Sequence, residues 1–202
     1  MEPLFWDNRY AAAEGFVFGT APNDFLAEMA VQIPSGPVLC IGEGEGRNAV
    51  HLATLGHDVT ALDQSAVGLA KARQLAATRG VQIATQVADL ETAVIEPGRW
   101  AGIVSIFVHL PVDLRRKVYA GVVRGLMPGG VFILEAYTPA QLAFGSGGPK
   151  DVALLMTLSA LREELAGLDL LVAREIERAV IEGSGHTGRA AVVQVVARAR
   201  GR

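Results

Sequence analysis

Residues 38–63 read VLCIGEGEGRNAVHLATLGHDVTALD. An apolar run, three glycines at alternate positions, a helical segment and a second apolar run follow one another, which predicts a strand, a turn, a helix and a second strand. Gly42, Gly44 and Gly46 carry no Cβ atoms, so a ligand can lie against the turn, where the next helix points its free N–H groups outward. Asp63 ends the second strand, where an acidic residue commonly accepts hydrogen bonds from ribose hydroxyls. The stretch therefore predicts a nucleotide-cofactor site.

Strand and helix signals continue to alternate beyond this stretch. They predict a helix over residues 65–79, strands over 81–87 and 100–107, a helix over 111–127 and a strand over 131–137. This alternation is typical of a mostly parallel sheet with helices on both faces and a ligand crevice beyond the carboxyl ends of the strands.

The last quarter of the chain breaks this rhythm. After a helix near residues 159–166, two strand-like runs at 170–181 and 190–197 are joined only by residues 182–189. So short a connection permits only an antiparallel pair. The predicted fold is therefore α/β and Rossmann-like, with a seven-stranded, mostly parallel sheet whose C-terminal strand is reversed.

Length and composition indicate one compact domain over residues 1–202. The chain is 50% hydrophobic, which is too apolar for a disordered chain. Its net charge of −3 and the lack of a basic run argue against a nucleic-acid partner. No apolar stretch has the roughly 20 residues of a membrane span, and no secretory signal is visible, so we expect no membrane partner and a cytoplasmic location. The oligomeric state is not predicted.

The first 25 residues hold six of the chain's 12 aromatic residues, which a solvated tail would not need. These are Phe5, Trp6, Tyr10, Phe16, Phe18 and Phe25. We expect residues 1–25 to form a cap over the cofactor crevice. The alternative is a helix and loop packed on the edge of the sheet.

The ensemble of motifs resembles the class I S-adenosylmethionine (SAM) dependent methyltransferases over nearly the whole chain. That family has a GxGxG turn, an acidic residue ending the second strand, another after the third strand, and a Pro-Gly-Gly turn before the fifth. Here Asp63, Asp89 and Pro128-Gly129-Gly130 stand at these points in order. A dinucleotide dehydrogenase would need glycine at position 47, where this chain has Arg47.

Four shorter segments look like the branch related to tellurite-resistance methyltransferases. They are WDNRY at 6–10, FGTAPN at 18–23, EGEGRN at 43–48 and GGPK at 147–150. Relatives in that branch act on small soft nucleophiles, including thiols and chalcogen oxyanions. The chain departs from the commonest family pattern at Cys40, Glu43 and Ala101-Gly102.

The resemblance implies SAM as cofactor and S-adenosyl-L-homocysteine (SAH) as product. It implies that Asp63 holds both ribose hydroxyls, that Asp89 accepts from the adenine amine, and that Leu90 flanks the ring. Glu43 is expected to face the methionine end, bonding its ammonium group or aligning Arg47, and a solvated loop carboxylate is the alternative. The cofactor-binding set is Trp6, Tyr10, Gly42, Glu43, Gly44, Gly46, Arg47, Asn48, Asp63, Gln64, Ser65, Asp89, Leu90 and Phe107. Simple helix or loop capping is the alternative for both aspartates.

On the acceptor side, His109 follows the fourth strand and is the predicted general base, with packing at the start of the next helix as the alternative. Arg47 is expected to meet either the cofactor carboxylate or an anionic substrate. The substrate-binding set is Phe18, Arg47, His109, Glu135 and Tyr137.

Residues 141–150 form either a gate at this site or a plain surface loop. His186 is placed in the hairpin loop, and the four histidines and one cysteine lack metal-ligand spacing, so no metal is expected.

Three functions follow, in order of preference. The first is a SAM-dependent methyltransferase for a small soft nucleophile such as a thiol, a chalcogen oxyanion or a related metabolite. The second is a SAM-binding regulator or degenerate methyltransferase without turnover, which the unusual Cys40, Glu43 and Ala101 suggest. The third, a nicotinamide-dependent oxidoreductase, is disfavoured because Tyr119 is followed four positions on by Val123 rather than by a lysine.

Overall fold

The computed structural model of the chain describes residues 3–183 and 185–201. Its sheet has seven strands in the order β3-β2-β1-β4-β5-β7-β6. The strands are β1 (Pro37–Ile41), β2 (Asp58–Asp63), β3 (Ala84–Val87), β4 (Trp100–Ile106), β5 (Leu126–Tyr137), β6 (Leu168–Glu182) and β7 (His186–Ala199). Strands β1 to β5 pair in parallel, whereas β7 is antiparallel to both β5 and β6. The predicted reversed strand is thus confirmed.

Six α-helices accompany these strands in the described ranges. They are α1 (Pro3–Ala12), α2 (Asp24–Met29), α3 (Arg47–Thr54), α4 (Ala66–Thr78), α5 (Val112–Gly125) and α6 (Leu158–Glu164). Ser65 caps α4, because its Oγ accepts from the Gly68 N–H at 2.9 Å. No helix in this part of the chain has both the length and the apolar character needed to cross a bilayer.

Helices pack on both faces of the sheet because the side chains of β1 alternate between two cores. Leu39 and Ile41 join α5 and α6 in one cluster, whereas Val38 and Cys40 join α2, α3 and α4 in the other. Cys40 is fully buried, and burial raises the pKa of its thiol well above the ordinary value. It is a small side chain of the core.

Three strand starts differ from the prediction by three residues or more. Strand β7 begins at His186 rather than at Ala190, so His186 pairs with Glu182 and does not lie in the hairpin loop. Strand β3 begins at Ala84, since Val81 and Ile83 pack against helical clusters instead of pairing with β2. Strand β5 begins at Leu126, which pairs with Trp100, and the register shifts before the pairing resumes at Gly102. The Pro-Gly-Gly segment therefore lies inside the strand as an irregularity rather than before it.

Candidate active site

The glycine turn lies at the carboxyl end of β1. Gly42, Gly44 and Gly46 all have positive φ angles, between 59° and 91°, which side chains rarely adopt. A Cβ at Gly42 would lie 2.7 Å from a Val108 methyl group, and one at Gly44 would lie 2.5 Å from the Tyr10 hydroxyl. Val108 and Tyr10 therefore pack directly on this turn, where only glycine leaves room for them, and we call the turn the cradle.

Asp63 is held against this turn at the end of β2. It is 7% exposed, and its two carboxylate oxygens accept from the Gly44 and Ser65 N–H groups, each at 2.8 Å. Burial raises the pKa of this carboxyl, and the two N–H bonds oppose the shift. Each oxygen has a further lone pair, so Asp63 can still accept from a hydroxyl donor.

Glu43 has a role that the sequence interpretation did not include. Its Oε1 accepts from the Asn48 and Ala49 N–H groups at 3.0 and 2.8 Å, in the first turn of α3. The N-cap position of this helix is Gly46, which has no side chain to supply that bond. Burial raises the pKa of Glu43 to about 7, although the N–H bonds act in the opposite direction. Glu43 thus completes the start of α3.

Arg47 extends from α3 toward the end of β6. Its side chain is buried, and its Nη2 donates to Glu182 Oε2 at 2.6 Å. Its Nη1 is also buried and has no hydrogen-bond partner among the described residues. One guanidinium nitrogen is therefore available to an anionic or carbonyl group.

The adenine-side residues are more exposed. Asp89 is exposed, and its Oδ1 accepts from the Glu91 N–H at 2.8 Å, which is the loop-capping alternative. Leu90 packs partly against the core, and Gln64 is half-buried directly after Asp63. No contact of Asp89 in the described part of the chain bears on adenine, so its cofactor role stays a prediction.

Helix α1 packs on α4, at the same end of the sheet as the glycine turn. Asp7 Oδ1 accepts from Ser65 Oγ at 2.5 Å, and Trp6 stacks on Tyr10 with ring centroids 5.5 Å apart. Lys71 Nζ donates to the Tyr10 and Gly15 carbonyls at 2.5 and 2.6 Å and to Glu45 Oε1 at 3.0 Å. These contacts tie the N-terminal segment to α4 and to the turn.

The segment after α1 reaches the turn between β6 and β7. The Gly185 N–H donates to the Val17 carbonyl at 3.2 Å. A Cβ at Gly183 would collide with the same carbonyl, and a Cβ at Gly185 would collide with the Phe18 ring. Glycines in this turn therefore let residues 17–18 pack closely on the hairpin.

Five ring side chains meet where β4 and β5 end, and we call them the acceptor cluster. They are Phe18, Phe107, His109, Tyr137 and His186. Phe107 lies 4.5 Å from Tyr137 and 4.8 Å from His186 between ring centroids, and Phe18 lies 4.6 Å from His186. Phe107 has φ of 54°, a strained conformation for a side chain of this size that is frequent at functional sites. Four of the five residues belong to the site predicted from sequence.

His109 lies in this cluster, but its two ring nitrogens face the backbone. Nδ1 is 3.0 Å from the Leu154 carbonyl oxygen, and the Tyr137 N–H points at Nε2 from 3.5 Å. Burial lowers its pKa to about 4, so the ring is neutral and a weak base. These contacts match the packing alternative, and no observation tests the predicted role as base.

His186 is the member of the cluster that sequence reasoning did not select. Its Nδ1 is buried, has no hydrogen-bond partner in the described ranges, and lies 3.7 Å from Glu182 Oε2. Only the pairing of β6 with β7 and the packing of Phe18 bring it to the cluster. No local signal in the hairpin sequence could have shown this.

Glu135 is fully buried and its carboxylate is occupied. Arg178 donates to both of its oxygens at 2.8 and 2.6 Å, while Asn23 Nδ2 and Gln194 Nε2 donate at 2.5 and 2.7 Å. Protein donors therefore take up both oxygens of this carboxylate, which leaves no acceptor position for the predicted contact between Glu135 and the substrate. Asn48, also in the predicted set, accepts from the Asn23 N–H at 2.9 Å.

The 141–150 loop is fastened to β7 next to the acceptor cluster. Gln141 donates to Ser146 Oγ at 2.9 Å and accepts from the Ala191 N–H at the same distance. A Cβ at Gly148 would lie 2.7 Å from the Tyr137 ring. The loop thus packs over Tyr137 as a border of the cluster.

Comparisons with known proteins agree with this arrangement. Residues 38–130 match a family described as "Methyltransferase domain". A 2-heptyl-1-hydroxyquinolin-4(1H)-one methyltransferase from Mycobacteroides abscessus is 32% identical over 121 residues, which are 58% of this chain and 53% of that protein. The match thus spans about half the length of this curated relative.

Two solved structures share the fold over most of the chain. One comes from work on the conversion of a disulfide bond into a thioacetal group during echinomycin biosynthesis, with a TM-score of 0.79, 22% identity, and coverage of 97% of this chain and 91% of that one. The other is TehB from Haemophilus influenzae, with a TM-score of 0.71, 21% identity, and coverage of 88% and 62%. At these identities the likeness is one of fold.

The sheet with its reversed strand and the glycine turn facing Asp63 define the class I SAM-dependent methyltransferase fold. Residues 38–130 are therefore similar to a methyltransferase domain, and the fold over most of the chain is the one found in SAM-dependent methyltransferases. The resemblance read from the sequence is confirmed, and SAM is the cofactor that the family implies.

Proposed function

We propose that this protein transfers the methyl group of SAM to a small soft nucleophile, a thiol or a chalcogen oxyanion. The observation that carries the proposal is the position of the acceptor cluster, which adjoins the glycine turn through the contact of Val108 with Gly42. A cofactor cradle and an enclosed aromatic site thus lie side by side at the carboxyl ends of the strands.

The residues of the cradle fit SAM. The positive φ angles of Gly42 and Gly44 allow the tight turn at the end of β1, and Asp63 supplies fixed acceptors for ribose hydroxyls. We assign Trp6, Tyr10, Gln64, Ser65 and Phe107 to the same site, with Asp89 and Leu90 on the adenine side. When bound, SAM supplies an electrophilic methyl group on a sulfonium. The N-terminal segment, tied down by Lys71, is the cap of this site.

The chain's own contribution is alignment and exclusion of water. The rings of Phe18, Phe107 and Tyr137 enclose the acceptor. The Tyr137 hydroxyl is buried without a partner in the described ranges, and burial raises its pKa, so it stays a neutral O–H donor for the substrate. Arg47 Nη1 provides positive charge for an anionic acceptor. His186 accepts a proton where the acceptor is a thiol or hydroxyl.

A second acceptor class is supported by the relative from M. abscessus, whose substrate is a hydroxyquinolone. A flat aromatic N-hydroxy or hydroxy compound would stack on the rings of the acceptor cluster and present one oxygen to His186. We rank it below the thiols because the cluster is tightly closed by Phe18 and by residues 141–150.

The test is a substrate panel in which SAH release is measured. The panel holds small thiols, selenite, tellurite and 2-heptyl-1-hydroxyquinolin-4(1H)-one. We expect SAH release with at least one thiol or chalcogen oxyanion and saturable SAM binding by calorimetry. SAM binding without SAH release across the panel would make the protein a SAM-binding module, and NAD binding in place of SAM would make it an oxidoreductase.

A further inference from the structure

Glu182 is the last residue of β6 and lies directly across the hairpin from His186. The two are paired in the β6–β7 register, so their positions are fixed relative to each other by the turn between them. Glu182 is 5% exposed, although it stands next to a turn at the edge of the molecule. A buried carboxylate at such a place needs partners.

Donors from three parts of the chain surround this carboxylate. Oε1 accepts from Asn23 Nδ2 at 2.8 Å and lies 3.4 Å from Arg178 Nη2. Oε2 accepts from Arg47 Nη2 at 2.6 Å and lies 3.7 Å from His186 Nδ1. Despite burial, these groups hold the pKa of Glu182 down to about 2, so the carboxylate is ionised and can only accept hydrogen bonds.

The ionised state of Glu182 therefore determines that the ring nitrogen of His186 facing it carries the proton. A neutral imidazole has one N–H and one lone pair, and only an N–H can bond an ionised carboxylate. The rings that contact His186 in the described ranges are Phe18, Phe107 and Tyr137, so Glu182 is the carboxylate paired with it. The 3.7 Å separation is longer than a hydrogen bond, and such contacts commonly tighten in the complex with substrate.

We propose that Glu182 is a positioning residue that holds His186 as the Nδ1–H tautomer, so that Nε2 keeps its lone pair for the proton of the methyl acceptor. This rests on the proposed methyl transfer for the identity of the acceptor site. As an acceptor S–H or O–H bond breaks, its proton goes to Nε2 and the freed electron pair forms the bond to the methyl carbon. The sulfonium–methyl bond breaks at the same time, and SAH leaves. Glu182 then faces an imidazolium, whose charge it stabilises.

The same carboxylate also orients Arg47, whose Nη1 is free for an anionic acceptor. One residue thus sets the orientation of both polar groups that the proposed acceptor would meet. Arg47 begins α3 directly after the glycine turn, so Glu182 also connects the hairpin to the cofactor side.

The direct test is long-range proton–nitrogen NMR of protein with ¹⁵N-labelled histidine and bound SAH, at a pH where the rings are neutral. The sequence has four histidines, and His186→Gln assigns the signal of interest. We expect His186 to carry its proton on Nδ1 in the wild-type protein. A proton on Nε2 overturns the proposal, and this arm needs no substitution at Glu182.

The second arm compares Glu182→Gln with Glu177→Gln, a control on the same strand whose partner Arg189 is exposed. We expect Glu182→Gln to lose the Nδ1–H preference and to lower kcat for the best acceptor of the panel at least about tenfold, with KM for SAM changed less than about threefold. An unchanged tautomer and kcat in folded Glu182→Gln contradict the proposal. If the wild-type protein methylates nothing in the panel, the proposed function fails. The proton position on His186, measured by NMR, still tests the role of Glu182 in that case.

Discussion

At the scale of single residues, the proposed cofactor side of the site can be tested at Asp63. Its carboxylate bonds the turn through Gly44 and is the proposed acceptor for the ribose hydroxyls. We expect Asp63→Ala to weaken SAH binding at least about tenfold, since a charged hydrogen bond is lost along with an anchor of the turn. Calorimetry measures this, with Asp58→Ala, an exposed aspartate on the same strand, as the control. Equal affinities would remove Asp63 from the site.

The acceptor side offers two histidines, and substitutions separate them. His186 has a free Nδ1 beside a carboxylate, whereas both nitrogens of His109 face backbone groups. We expect His186→Gln to lower kcat about 100-fold, in the range of general-base catalysis, and His109→Gln to lower it less than about tenfold. The reverse order would establish His109, the residue predicted from sequence, as the base.

The residues that could be read from the sequence are those whose chemistry is local. Gly42, Gly44, Gly46 and Asp63 stand at the ends of two consecutive strands, so strand order alone brings them together. His186 reaches the cluster only through a hairpin register and a contact with Phe18, which no short-range pattern encodes. Contacts of this kind are set by tertiary packing.

At the scale of elements, helix α3 begins with a glycine cap and is completed by Glu43. The pKa of Glu43 is about 7 in the folded protein, against an ordinary value of 4.5. Between these pH values the folded protein binds more protons than the unfolded chain, so raising the pH lowers the free energy of unfolding. Glu43→Gln keeps an oxygen for the two N–H bonds and does not ionise. We expect its Tm to fall less than the wild-type Tm from about pH 5 to pH 8, measured by calorimetry without cofactor. Parallel Tm curves would contradict the assignment.

The N-terminal segment is the second element with a testable role. Lys71 on α4 donates to two backbone carbonyls of this segment and to Glu45, and these hydrogen bonds hold the segment against α4. We expect Lys71→Met to speed amide exchange in residues 5–18 and to weaken SAH binding, while exchange in the sheet stays unchanged. Arg73→Met on the same helix, which removes an exposed bond to Thr85, is the control. Faster exchange with unchanged SAH affinity would leave the segment as edge packing, the alternative to a cap.

The order of strands and helices was predictable because apolar periodicity and turn residues repeat along the chain. The exceptions have physical causes. Strand β3 is shortened because its first residues pack on helices, and β5 is lengthened by a pairing across an irregularity that glycines permit.

At the scale of the whole molecule, a network of buried charges joins the N-terminal segment to the last two strands. Arg178 binds Glu135 on β5 with two hydrogen bonds, and Asn23 bonds both Glu135 and Glu182. Through Arg47 the network continues to α3. The cofactor turn, the proposed cap and the acceptor cluster are therefore parts of one hydrogen-bonded structure.

Arg178 compensates the negative charge of Glu135 in this network, because it donates to both carboxylate oxygens. Arg178→Met keeps most of the side-chain volume but leaves a fully buried carboxylate without its cation, and this typically costs about 3–5 kcal/mol of stability. We expect a clearly lower urea midpoint, with part of the loss restored in the double variant Arg178→Met/Glu135→Gln, because the uncompensated charge is gone. Arg189→Met, which breaks the exposed pair with Glu177, is the control and should lie within about 1 kcal/mol of wild type. If the double variant is no more stable than Arg178→Met alone, lost packing rather than unpaired charge explains the effect, and the network is not held together by its ion pairs.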